Sequence, residues 1–112
     1  MPIEQTAVID FIGVDRTTGE VVLTITDSRD WHDSVREHLL LLQDKINSYL
    51  RFVESGELLD AYPEAKDRLV VISVVGRHLP NAEAMEFYGK ARSAIEKAGF
   101  QLRFEQFALP DV

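Results

Sequence analysis

The thirteen residues from Thr26 to His38, "TDSRDWHDSVREH", carry four acids (Asp27, Asp30, Asp33, Glu37), two of the three histidines (His32, His38) and the only tryptophan. A second short stretch, "GRHLPN", supplies Arg77 and His78. Carboxylates and imidazoles move protons near neutral pH and ligate divalent metals, and a guanidinium holds anions. Five residues therefore form a candidate ligand-binding group: Asp27, Asp30, His32, Arg77 and His78. In that group Arg77 would hold an anion beside helix N-termini, and His78 would transfer a proton.

Simpler roles compete for each of these residues. Asp27, Ser28 or Asp30 suits a helix cap, and Asp30 to Asp33 has the spacing of a capping box with Asp in place of Glu. Trp31 reads as core at the helix entry, His32 and His38 as surface or half-buried side chains, and Arg77 as an ion-pair partner of Asp27 or Asp30. The acid and histidine spacing matches neither the H-E-x-x-H zinc helix nor a calcium loop. Ser28 with His32 four residues on lacks an oxyanion hole, and no G-x-S-x-G elbow is present. The sequence thus assigns no catalytic residue, no metal and no cofactor.

Positioning these residues requires a scaffold, and hydropathy patterning outlines one. "AVIDFIGVD" and "EVVLTITD" are rich in β-branched residues. They read as antiparallel strands over Thr6 to Val14 and Glu20 to Thr26, joined by a turn in which Gly19 supplies a positive φ. Asp10, Asp15 and Glu20 fit a ladder end, a solvent-facing position or the turn. A long helix is expected from Asp30 to Ser55. Its residues Trp31, Val35, Leu39, Leu42, Ile46, Tyr49, Leu50 and Val53 fall within roughly 100° of arc, and Gly56 stops it. "ELLDAYPEAKDR" holds one short helical turn. "RLVVISVV" is apolar on both faces, as a central strand is. Asn81 caps a second helix to Ala98, and "FQLRFEQ" alternates as a strand with one wet face. The tail after Phe107 reads as irregular.

The order β-β-α-β-α-β, with right-handed crossovers, gives an α+β fold. It has two layers, a mixed four-stranded sheet in order 1-2-3-4 with two helices on one face, in a single domain over 1–112. The C-terminal ends of strands two, three and four then share the edge where ligands of open α/β sheets bind. Two features call for a second subunit. Leu40 and Leu41 point away from the buried arc of the long helix, where either a neighbouring loop or a second subunit would cover them, and the first strand is apolar on both faces. Leu58, Leu59 and Tyr62 add apolar residues in a connecting segment. These five are the interface candidates of a homodimer.

Bulk composition narrows the partners. Nineteen acidic against twelve basic residues give a net charge of −7, which disfavours nucleic acid and suits a basic protein partner. There is no cysteine, hence no disulfide and no thiolate zinc site. Apolar runs are too short for a membrane span, and the first residues lack a signal core, so the expected location is cytoplasmic.

The strings "VIDFIGVDRTTGEVVLTITDSRDW", "INSYLRFVESGELLDAYPEA" and "GFQLRFE" resemble a family of small bacterial single-domain proteins of unknown function, over nearly the whole chain. The resemblance implies a bacterial cytoplasmic domain and carries no functional residues. Two readings of function stand. One is a non-enzymatic acidic interaction module, homodimeric, with an immunity-type inhibitor of a basic partner as its specific version. The other is a small-molecule-binding protein or enzyme using the edge formed by Asp27, Asp30, His32, Arg77 and His78.

Overall fold

A computed structural model describes residues 9, 11–31 and 34–106. The first part of the expected first strand, Asp10, His32, Asp33 and the tail after Phe107 lie outside the described residues. Four strands, β1 (Phe11–Val14), β2 (Val21–Asp27), β3 (Val70–Gly76) and β4 (Gln101–Gln106), alternate with helices α1 (Val35–Glu54), α2 (Glu57–Ala61) and α3 (Ala82–Lys97). A 3-10 turn at Pro63–Ala65 follows α2. The sheet order is β1-β2-β3-β4. β1 is antiparallel to β2, and β2, β3 and β4 are mutually parallel, as the order of apolar segments predicts.

Register decides what each face carries. Ile12, Leu23, Ile72 and Leu102 stand opposite one another across the four strands and share a face. With Val21, Ile25 and Val74 they form the core under the helices, joined by Leu42, Ile46 and Tyr49 of α1 and Ala84, Tyr88 and Ile95 of α3. Each fully buried aliphatic side chain contributes roughly 1.5–3 kcal/mol. Tyr49 adds a hydrogen bond, its hydroxyl donating to the Thr24 carbonyl at 2.8 Å. At the β3 end a Cβ on Gly76 would lie 2.7 Å from Cε1 of Phe104, so a larger residue there forces that ring to shift.

The hairpin between β1 and β2 is built by Asp15, whose Oδ1 accepts from the backbone N–H of Thr17 and Thr18, and by Gly19 at φ 79°. The long helix starts later than expected. It begins at Val35, after Ser34 in the left-handed region (φ 51°, ψ 44°) with no side-chain cap bond. Asp30 therefore does not cap it, because the helix begins only at Val35 with Ser34 in the cap position. Asn81 does cap α3, accepting from Ala84 N–H at 2.8 Å, and also donates to the Trp31 carbonyl at 3.3 Å.

Among the described residues no helix lies over the opposite face of the sheet. Its centre is closed by one ion pair that bridges β4 to the start of β2. The Arg103 guanidinium donates to both oxygens of Glu20, at 3.0 and 2.7 Å, and Val71, on the strand between them, is fully buried. At the outer edge Arg92 of α3 donates to the Leu102 carbonyl at 3.3 Å.

Arg103 holds the Glu20 carboxyl below the ordinary carboxylate range, against a smaller upward effect of burial, and Glu20 in turn raises Arg103. A carboxyl lowered by folding contributes stability that is present above its unfolded pKa and lost as the pH falls through the folded value. The stability difference between the native chain and Glu20→Gln is thus steady near neutrality. It shrinks in acid below about pH 4, as urea midpoints across a pH series will show. Two glycines are expected to behave oppositely in the same assay. Gly76→Ala costs about 1–3 kcal/mol through overpacking against Phe104. Gly89→Ala, in the exposed middle of α3 with open space around it, adds about 0.5–1 kcal/mol.

Candidate functional site

The densest polar chemistry sits under the helices at the C-terminal end of β2. Asp27 is the last residue of that strand and pairs in register with Gly76 of β3. The inward alternation of Val21, Leu23 and Ile25 carries its side chain to the helical face, where it is only 3% exposed. His38, in the first turn of α1, meets it there and is fully buried. Nε2 of His38 lies 2.5 Å from Asp27 Oδ2, and Nδ1 lies 3.0 Å from the Asp30 carbonyl.

Those two contacts fix the proton count. A carbonyl oxygen only accepts, so Nδ1 carries a hydrogen. The Nε2–Oδ2 contact also needs one hydrogen, held either by an imidazolium facing a carboxylate or by a carboxylic acid facing an imidazole. Both arrangements leave the pair with no net charge. Asp27 Oδ1 accepts from the Arg29 N–H at 3.1 Å, so both carboxyl oxygens are satisfied. Trp31 closes the cluster from the loop side, its ring stacked on His38 with centroids 3.5 Å apart and planes 13° from parallel.

Tyr88 of α3 stands on the other side, packed against Phe104 with ring centroids 5.2 Å apart. Burial first, and the negative charge of Asp27 second, push its phenol well above the ordinary range, so the hydroxyl keeps its proton. That hydroxyl has no hydrogen-bond partner among the described residues. Two turns of α1 beyond His38 comes Lys45, also fully buried, with its ammonium 5.7 Å from the Tyr49 ring centroid.

The five residues proposed from the sequence are placed unequally. The Arg77 N–H donates to the Asp27 carbonyl at 2.8 Å, so the ends of β2 and β3 do adjoin. Asp27 turns inward, however, while Asp30, Arg77 and His78 are exposed. His32 lies outside the described residues. Of the interface candidates, Leu40 and Leu59 are exposed, Leu41 and Tyr62 are half-buried against the core, and Leu58 is part of it. His38 is the residue that sequence reasoning placed wrongly, as surface or half-buried. A signal existed: positions 38 and 45 stand four before and three after Leu42, on its buried stripe.

Neither the groove between α1 and α3 nor the hollow beside β1 is lined by Asp27, His38 or Tyr88. Among the described residues no three histidines or acids are grouped to hold a metal ion, and no helix is long and apolar enough to cross a membrane. A mixed sheet with helices on one face, one face without them and an acid–base pair sealed in the core define a two-layer α+β protein. The chain belongs to DUF6572, a family of unknown function, with the match spanning residues 1–108. No curated protein and no solved structure matches it.

Removing one member of the sealed pair strands the other. His38→Ala is expected to cost about 3–5 kcal/mol, and Asp27→Ala a similar amount. The double substitution should cost less than the sum by about 1–3 kcal/mol, a coupling that chemical denaturation of the four proteins measures directly.

Proposed function

We propose that this protein is a non-enzymatic interaction module that works as a homodimer, paired through the helix-free face of its sheet. The observation that carries the reading is the character of that face. Phe11 is 60% exposed there. By register it stands in one row with Thr24, Ser73 and Arg103, beside Val22 and Val75. β-branched and aromatic residues on a flat, helix-free surface suit face-to-face packing of two sheets, which lie about 10 Å apart when they pack. Leu40 and Leu59 belong to the helical layer and stay outside such an interface.

The sealed pair supports the non-enzymatic part. An aspartate and a histidine with every polar atom engaged and almost no exposure offer a substrate no approach. Their role in this reading is to lock the end of β2 to α1. The net charge of −7 supports a basic protein as the further partner, in a cytoplasmic setting that the absence of cysteine suits. An inhibitor that masks a basic toxin is one form of this.

Sedimentation equilibrium over micromolar to millimolar protein tests the dimer. Two chains per particle are expected, with Phe11→Asp reducing the mass to one chain and Leu40→Asp leaving it at two. A single-chain mass throughout removes the homodimer.

A further inference from the structure

α1 and α3 lie side by side on the sheet without closing on each other. Between them runs a groove of about 330 Å³. It continues past Phe87 and Lys90 into a second hollow of about 280 Å³ bounded by Leu39, Glu83 and Glu86. The spacing of the walls is informative. α1 contributes Leu39, Gln43, Ile46 and Leu50, at steps of four, three and four. α3 contributes Glu83, Phe87, Lys90 and Ala94, again at steps of four, three and four, with Ala91 beside them. Steps of three and four mark one stripe of a helix. Here two helices turn such stripes towards the same empty line, as they do when a third helix lies between them.

Length and charge specify the occupant. From Leu39 to Leu50, or from Glu83 to Ala94, the trough runs about 16 Å, or three turns of helix. Its middle is apolar and narrow-walled, with Ala91 and Ala94 leaving room for large side chains. Gln43 and Asn47 offer amide groups at the rim. At the end near the start of α3 stand two carboxylates, Glu83 and Glu86, of which Glu86 is shared with Lys90 at 3.3 Å.

We propose that this groove is a docking site for a short amphipathic helix of a basic partner protein. Large apolar residues of that helix fill the line between Ile46, Leu50, Phe87 and Ala94, and a lysine or arginine at one end meets Glu83 and Glu86. The proposal rests on the reading of the protein as an interaction module and is independent of its self-association, because the groove lies in the helical layer and the proposed dimer face lies on the opposite side of the sheet.

The test uses helix-locked peptides of about three turns with one Leu-rich face. One carries lysines at one end, and a second carries glutamates there. Each is titrated into the Phe11→Asp chain and followed by fluorescence anisotropy and by amide shifts, so that loss of the dimer does not affect the outcome. The basic peptide should bind at least tenfold more tightly than the acidic one, lose affinity as salt rises, and shift amides along α1 and α3. Ala94→Trp, which plugs the groove from an exposed position, should abolish binding. Glu83→Lys with Glu86→Lys should reverse the charge preference. Absence of binding by both peptides to about 1 mM overturns the proposal, as do equal affinities or shifts confined to the sheet face. Groove amides that move on simple dilution of the native chain also overturn it, by assigning the groove to a second copy.

Discussion

A proton held between Asp27 Oδ2 and His38 Nε2 ties the last residue of a central strand to the first turn of the longest helix. Because Nδ1 is committed to the Asp30 carbonyl, that contact cannot be made by a neutral imidazole and a carboxylate alone. Two ionisable groups can be buried this deeply only as a mutually neutralised, hydrogen-bonded unit. Residues 28–31, after β2, close around them. Trp31 covers the imidazole, Arg29 supplies an N–H to the second oxygen, and Asn81 holds the Trp31 carbonyl. The start of α3 is thereby fastened to the loop before α1, and both helices keep their places on the sheet.

That fastening explains how the two layers differ. The helical layer is fixed at its N-terminal end by buried polar contacts and along its length by apolar side chains. Among the described residues the opposite face of the sheet carries the Glu20–Arg103 bridge over Val71 and a Ser73–Glu105 hydrogen bond, flanked by threonines, valines and Phe11. Asp27 and His38 thus act as a fastening between β2 and α1, and the proposed interactions draw instead on the sheet face and the trough between the helices.

Much of the fold is legible in the chain because each element announces its own period. β3 is apolar on both faces and sits centrally, β4 alternates, and Asn81 and Gly99 bracket α3. The start of α1 is not legible, since Asp30 imitates a cap while Asp27 is drawn inward. His38 and Lys45 are overlooked when a helical stripe is drawn by residue type, although their positions lie on it. The partnership of Glu20 with Arg103 joins residues 83 apart in sequence, and nothing local marks either one. The candidate edge was legible as topology, since Asp27 and Arg77 do adjoin, but not as chemistry. Side-chain direction at the strand end, inward for Asp27 and outward after Gly76, separates the groups that the linear order brings together.

The two borders of the sheet are unlike. Along β4, Arg92 reaches from α3 to occupy a main-chain oxygen, and charged side chains stand outside it, the usual guard against further strand addition. β1 has no such arginine among the described residues. The β4 border therefore has one of its carbonyls already taken, which leaves it a poorer template for an added strand.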